Sequence, residues 1–335
     1  MLTRTRTLRF LAVLLFTAAC SGDHSASSKT SSTVIYRGNG GEPGSLDPAL
    51  AEDIHAFNVL SDLYEGLISL SADGELVPGV AESWSVSDDE LVYTFHIRND
   101  ARWSNGETVT AENFVAAFRR VTAPSSTSPY VFLLKPVADM IAVGTMTLEV
   151  RLREPAPHIL SVLSMPVSIP AAVDDPVSFS SPNEFVGNGA YVLAERTPGG
   201  AIRLRRNTEY WDADSVSVDE IVYLPVVDPI AELNLFRTGE LDITNTISPG
   251  HLRSLEEDMP ASVRVAPSLA LYYLAFDLTE APFDNMSLRQ ALSMAIDRHQ
   301  LVELIGRGEQ PAHGIVPPGV AGYTPARFDW ASLPD

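Results

Sequence analysis

The part of the sequence that most constrains the fold is the stretch 65–121, in which a strand, a turn and a helix follow one another. Residues 93–98 alternate apolar and polar side chains, which is the period-two pattern of a strand with one buried face. Residues 104–106 read Ser-Asn-Gly and predict a tight turn, because Asn and Gly accept positive φ angles. Thr110 is placed to cap a helix whose apolar positions recur at helical spacing over 114–121.

A second unit of strands and helix lies further along the chain. Residues 201–205, 220–224 and 241–243 predict strands, and between the last two Asp228 caps a helix that is closed by Gly239. A βαβ unit of this kind has a right-handed crossover and parallel strands. Ligands of such sheets bind beyond the carboxyl ends of the strands.

The last part of the sequence predicts one more strand and two helices. Residues 270–276 are apolar and predict a strand. Ser287 and Gln290 predict a capping box at the start of one helix, and Asp297 predicts the start of another that ends at Gly306. Alternation of strands and helices therefore extends through most of the chain.

Composition excludes several classes of protein. The apolar fraction of 45% and the charged fraction of 20% are ordinary for a soluble globular chain, and 335 residues suffice for two or more domains. The formal net charge of -20 repels nucleic acid and anionic lipid, so we expect no nucleic-acid partner. A single cysteine excludes an internal disulfide and a thiolate metal cluster.

No arrangement of residues indicates catalysis. The seven histidines form no His-x-x-x-His pair, which argues against a zinc hydrolase, and no Gly-x-Ser-x-Gly elbow occurs. Acidic pairs such as Asp88-Asp89 lie in polar, turn-like surroundings that are typical of solvated surface. The glycine-rich loop 38–41 follows a strand, but neither a third glycine at the right spacing nor a Walker lysine supports nucleotide binding. We predict that the protein is not an enzyme and has no cofactor.

The N-terminus predicts export and lipid attachment. Three arginines precede an apolar run at 10–16, which is too short to span a membrane and suits the core of a secretory signal. Small residues then lead to Cys20, as at a bacterial lipoprotein processing site. We expect residues 1–19 to form the signal peptide, residues 20–33 a serine-rich tether, and Cys20 the lipidated residue. An ordinary signal peptide cleaved nearby is the alternative.

Seven separate short motifs of the sequence, such as Trp-Ser-Asn-Gly, occur in an order that resembles that of one protein family. They lie at residues 44–48, 63–67, 78–84, 103–106, 187–191, 206–211 and 289–298. Together they resemble family 5 of the extracytoplasmic solute-binding proteins, which serve oligopeptide and dipeptide ABC importers. The resemblance implies an α/β fold: a periplasmic-binding-protein-like (type II) two-lobed clamp with an extra small α/β domain.

The resemblance also implies a division of the chain. Residues 34–64 and 166–268 would form a discontinuous lobe I, residues 65–165 a small domain II, and residues 269–335 the start of a lobe III that is incomplete. In this family the peptide lies extended between lobes and bonds through its main chain, while its side chains enter hydrated pockets. The groups that hold the peptide's termini belong to a segment that we expect to be missing from this chain.

Six residues are implied as ligand contacts. They are Glu52 and Ile54 at the cleft rim, Tyr130 in the small domain, Asn245 and Thr246 in the large domain, and Tyr273 in the first hinge crossing. Each has a structural alternative. Buried tyrosines are commonly core aromatics, and Glu52 also suits the start of a helix because of the helix macrodipole.

The resemblance implies the substrate-binding component of an ABC importer, which captures oligopeptides noncovalently between two lobes and delivers them to a membrane permease. Its partners would be the peptide and the complex of permease and ATPase, and it would be a monomer that touches the membrane only through its lipid anchor, in the periplasm or cell envelope. Another solute is an alternative, because relatives bind nickel complexes, haem, sugars or opines. A peptide sensor or chaperone lipoprotein is a further alternative, as is a secreted enzyme.

Overall fold

The computed structural model describes residues 32–170, 179–248, 250–265, 269–318, 320 and 323–328. The expected signal peptide, Cys20 and nearly all of the tether lie outside the described residues. The strands are β1 Val34–Gly38, β2 Ile68–Leu70, β3 Leu76–Pro78, β4 Ala81–Val86, β5 Val92–Ile97, β6 Val137–Gly144, β7 Thr147–Leu152, β8 Tyr191–Arg196, β9 Ile202–Arg206 and β10 Glu220–Leu224. The α-helices are α1 Ile54–Leu63, α2 Ala111–Thr122, α3 Ile159–Val162, α4 Pro229–Thr238, α5 Leu252–Asp258, α6 Met286–Met294 and α7 Arg298–Ile305.

The first four-stranded sheet has the order β1-β10-β9-β8. β1 pairs with β10 in parallel, and the other neighbours are antiparallel. Arg37 of β1 also forms a parallel bridge with Ile243, so the chain after α4 returns beside β1. The predicted parallel crossover is therefore present, although the predicted strand 241–243 is reduced to this single bridge.

The second four-stranded sheet is antiparallel and has the order β4-β5-β7-β6, while β2 and β3 form a separate hairpin. The predicted unit of strand, turn and helix is confirmed here. β5 buries Tyr93, Phe95 and Ile97 on one face, and the following turn contains Gly106 at φ 86°. Thr110 caps α2 in a capping box whose second member is Asn113.

One continuous hydrophobic core joins both sheets and α1. α1 buries a face of Ala56, Val59, Leu60 and Leu63, as helical spacing requires. Full burial of a side chain such as Leu60 contributes roughly 1.5–3 kcal/mol relative to leaving it exposed. The core therefore holds α1 in a fixed position relative to both sheets.

Two predictions for the last part of the chain are wrong. Within the described residues, the segment 269–276 is paired with no strand, and Tyr272 is 91% exposed. A strand needs hydrogen bonds from a neighbour, which apolar side chains alone do not supply. Helix α6 begins after Asn285, whose Oδ1 accepts a hydrogen bond from the backbone N–H of Leu288 at 3.2 Å, so the cap is not Ser287.

Candidate functional site

The first group of candidate residues lies at the start of α1. Asp53 caps this helix, because its carboxylate accepts hydrogen bonds from the backbone N–H of Ala56 at 2.7 Å and of Gly44 at 3.1 Å. Glu52 and Ile54 flank the cap, and both are exposed. The cap therefore fixes the backbone on which these two candidate residues are carried.

Tyr130 lies against the same end of α1. Its ring centroid is 6.4 Å from that of Phe57, and the two rings are tilted relative to each other. Burial raises the pKa of the Tyr130 hydroxyl, and the nearby charges of Glu52 and Asp53 raise it further. The structure therefore brings Tyr130 together with Glu52 and Ile54, which the sequence separates by more than seventy residues.

A small concavity lies behind this contact. It contains about 140 Å³ of open space and is lined by Phe57, Tyr130, Met165 and Pro166. This figure includes space that is open to solvent, and the volume that the concavity itself encloses is close to zero. The concavity marks where α1 meets Tyr130, and it is too small to enclose a ligand of peptide size.

The second group lies one helical turn along α1, where a chain of side-chain amides joins three parts of the fold. Asn58 Nδ2 donates to Asn39 Oδ1 at 3.0 Å and to Asn245 Oδ1 at 3.3 Å. Arg37 Nη2 in turn donates to Asn58 Oδ1 at 3.1 Å. Since Asn39 follows β1 and Asn245 lies in the loop after the Ile243 bridge, this network fixes that loop against α1.

The glycine-rich loop 38–41 makes this close approach possible. Gly40 adopts φ 68°, in the left-handed region, and an added Cβ would lie 2.5 Å from Asn245 Nδ2. Asn39 is 1% exposed, and its Nδ2 donates to the carbonyl oxygens of His55 at 3.1 Å and Gly41 at 3.2 Å. A side chain at position 40 would therefore push Asn245 away from α1.

The buried side of α1 is anchored to the first sheet. The Tyr223 hydroxyl of β10 lies 2.6 Å from Asp62 Oδ2 and 2.9 Å from the carbonyl oxygen of Asn58. Burial raises the pKa of the Asp62 carboxyl, against the opposing effects of the Tyr223 hydrogen bond and the Arg37 charge. These contacts hold the helix that carries the candidate residues.

Five of the six candidate residues thus gather along α1. Ile54 and Asn58 are four residues apart, so they share a helix face and lie about 6 Å apart along its axis. Ile54 is at the end that meets Glu52 and Tyr130, and Asn58 bonds to the loop that contains Asn245 and Thr246. Tyr273 is the exception: it is 71% exposed in the segment 269–276, and within the described residues no hydrogen bond or ring contact joins it to α1.

Sequence reasoning missed three residues that support the candidate site through hydrogen bonds, namely Asn39, Asn58 and Glu232. Asn58 carried a usable signal, because its spacing from Ile54 places it on the same face of a predicted helix. Glu232 carried none, since an acidic residue in the first turn of a helix is expected in solvent.

Two features of other protein classes are missing from the described residues. In residues 32–170, 179–248 and the later described segments, no group of three or more His, Cys, Asp or Glu side chains is arranged to hold a metal ion. No helix of these segments combines the length and the apolar character that crossing a membrane requires.

Comparison with protein families places the chain in a class. A family model described as "Bacterial extracellular solute-binding proteins, family 5 Middle" matches residues 75–331. The chain therefore belongs to the bacterial extracellular solute-binding proteins, family 5, and the predicted family is confirmed.

Individual relatives extend this result. The chain is 35% identical over 319 residues to the periplasmic oligopeptide-binding protein OppA of Escherichia coli (strain K12), covering 88% of this chain and 59% of OppA. It is 30% identical over 353 aligned residues to the probable deoxycholate-binding periplasmic protein YgiS of the same organism, covering 98% of this chain and 66% of YgiS. The chain thus spans about three-fifths of the length of OppA.

A solved structure confirms the fold. The murein tripeptide binding protein MppA of Escherichia coli matches with a TM-score of 0.83 and 31% identity, over 91% of this chain and 64% of MppA. The predicted α/β fold of the periplasmic-binding-protein type is therefore correct for the part of that fold that this chain covers.

Proposed function

We propose that this chain is the substrate-binding component of an ABC importer, which captures oligopeptides noncovalently and delivers them to a membrane permease and its ATPase. The observation that carries the proposal is the gathering of five candidate residues along α1, in a chain of the solute-binding family. The five are Glu52, Ile54, Tyr130, Asn245 and Thr246. Similarity to proteins named for oligopeptide and murein tripeptide binding supports peptide as the cargo.

The chemistry of the site fits an extended peptide. Main-chain hydrogen bonds grip a peptide without regard to its side chains. Exposed Glu52 and Ile54 at the start of α1 and the half-buried loop 244–246 bring backbone and polar side chains to one region. Glu52 adds an exposed carboxylate to a chain of net charge -20. This charge favours peptides with basic groups over acidic peptides.

The division of the chain into domains that we propose follows the family. Residues 34–64 and 166–268 would form lobe I, residues 65–165 domain II, and residues from 269 onward the beginning of lobe III. Tyr273 would contact the peptide from the crossing into lobe III. Ligand stabilises the closed arrangement of the lobes to the extent that it binds this arrangement more tightly than the open one. The protein would bind its cargo and catalyse no reaction.

The deciding experiment is calorimetric titration with a mixed library of tripeptides to pentapeptides, alongside native mass spectrometry of protein purified from cells. We expect binding heat and co-purified peptides. Matched variants Tyr130→Ala and Phe132→Ala compare a candidate contact with an exposed neighbour. A protein that carries no peptide and gives no heat with the library would contradict the proposal.

A second candidate cargo is a bile acid, which is favoured by 30% identity to YgiS over 98% of this chain. Titration with deoxycholate separates the two candidates. Binding of deoxycholate without binding of peptides would assign the chain to that solute.

We propose that the protein resides in the periplasm or cell envelope as a monomer, attached to a membrane through lipidated Cys20. The apolar run and the small residues before Cys20 support this location.

A further inference from the structure

Glu232 is 0% exposed, and Asp47, at 2%, is the other buried acidic residue in the described part of the chain. It lies in the first turn of α4, which Asp228 caps by accepting from the backbone N–H of Ile230 and Ala231. An acidic residue at this position ordinarily lies in solvent, where the helix macrodipole favours it. Burial here instead turns the carboxyl group inward, toward the end of β1.

The carboxyl group of Glu232 holds the main chain of the candidate site. Its Oε2 accepts a hydrogen bond from the backbone N–H of Thr246 at 3.3 Å. Burial raises the pKa of the carboxyl group, and the backbone N–H groups of Asn245 and Thr246 oppose this rise. The side-chain oxygen of Asn245 accepts from Asn58. The loop is thus held by Glu232 through its backbone and by Asn58 through one side chain.

The second oxygen of Glu232 provides an independent observation. Oε1 is buried and has no hydrogen-bond partner within the described residues. It lies against Gly38, where any added Cβ would overlap it. An unpaired buried polar atom destabilises the fold, and an apolar side chain of similar volume would avoid that cost. Stability alone therefore does not account for a glutamate at this position.

We propose that Glu232 is a positioning residue for ligand capture: it fixes the backbone of Asn245 and Thr246 so that this loop is already in place when the ligand arrives. The inference rests on the proposed function. Without Glu232 the loop would have to be ordered during binding, which weakens the affinity.

The test compares wild-type protein with three variants by calorimetric titration with the same peptide. Glu232→Met keeps the volume but cannot accept a hydrogen bond, whereas Glu232→Gln keeps an acceptor oxygen. We expect the dissociation constant to rise by about tenfold in the methionine variant, as the loss of a backbone hydrogen bond to a charged group predicts. The glutamine variant should bind within about twofold of wild type. Glu112→Met, at an exposed first-turn position of α2, is the matched control.

The outcomes separate this inference from the proposed function. Wild-type protein that binds no peptide overturns both. Wild-type protein that binds, together with a methionine variant of unchanged affinity, overturns only the role of Glu232, as does an equal loss in the methionine and glutamine variants. If the methionine variant does not fold, amide hydrogen exchange of wild type decides. Slow exchange at Thr246 supports the proposal, and exchange at the rate of an open loop overturns it.

Discussion

Glu65 shows how a single side chain joins distant parts of this chain. Its two carboxyl oxygens accept hydrogen bonds from the Tyr210 hydroxyl and from Trp211 Nε1, each at 2.7 Å. The Arg98 guanidinium lies 3.7 Å over the Trp211 ring, as a cation–π contact requires. Burial raises the pKa of the Glu65 carboxyl, and the two hydrogen bonds and the Arg98 charge oppose this rise only in part.

The raised pKa of Glu65 predicts a specific dependence of stability on pH. The stabilisation linked to its proton is complete below the ordinary value of 4.5 and is lost as pH rises through the higher pKa of the folded state. Denaturant titrations of wild type and Glu65→Gln from pH 4 upward measure this. The wild-type free energy of unfolding should fall relative to the variant by at most about 1.4 kcal/mol per pH unit. A wild-type free energy of unfolding that increases relative to that of the variant as pH rises would contradict the prediction. Glu112→Gln is the control at an exposed position.

The loop before β8 explains why a glycine is needed at position 189, within one of the family motifs. Gly189 donates its N–H to the carbonyl oxygen of Leu63 at 3.0 Å, and Asn188 bonds to both backbone groups of Glu65, at 2.8 and 3.2 Å. An added Cβ at Gly189 would lie 2.5 Å from the backbone of Leu63 and Tyr64. The end of α1 and the start of β8 are therefore in direct backbone contact.

We predict that Gly189→Ala destabilises the protein by about 2 kcal/mol or more, because backbone atoms cannot move aside as a flexible side chain does. Gly144→Ala is the control, since a Cβ there would meet nothing closer than 3.9 Å. Urea unfolding midpoints measure the difference. Equal midpoints for the two variants would show that the contact at Gly189 relaxes without cost.

Local sequence patterns predicted those helices whose start and end are marked by their own capping residues. Asp228 and Gly239 delimit α4 as expected, and Asp297 caps α7 through a 2.9 Å hydrogen bond from the backbone N–H of Gln300. At α6, Asn285 takes the cap two residues before Ser287, a choice that the pattern does not distinguish because both residues are good caps. The burial of Glu232 was not predictable, because it depends on where β1 and the loop 244–246 lie in space.

Burial distinguishes two parts of the described chain. Residues 34–241 supply most of the core, whereas α6 and α7 contain no buried residue and the segment 269–276 exposes large apolar side chains. The prediction of a strand there rested on apolar side chains alone. Such side chains indicate that a segment tends to be buried, but they do not identify the element that packs against it. The family and the fold were nevertheless predictable, because seven motifs in order constrain the whole chain more than any one element does.

Substitution of the single cysteine tests the proposed attachment of the protein to a membrane. We predict that Cys20→Ser moves the protein from the membrane fraction to the soluble fraction, because the lipid is proposed to be its only anchor. Ser25→Ala, in the same tether, should remain with membranes. Fractionation with immunoblotting measures both variants, and a Cys20→Ser protein that still sediments with membranes would refute lipid anchoring at this residue.

Three contacts join segments that flank the two four-stranded sheets. They are Glu65 with Tyr210 and Trp211, Ser104 with Gly187 at 2.8 Å, and buried Asp47 with Arg120 of α2. Together with the shared core they make the two sheets one stiff block. The surface along α1 is consequently held rigid by both sheets, and any closure over the proposed cargo would have to come from movement of other parts of the protein.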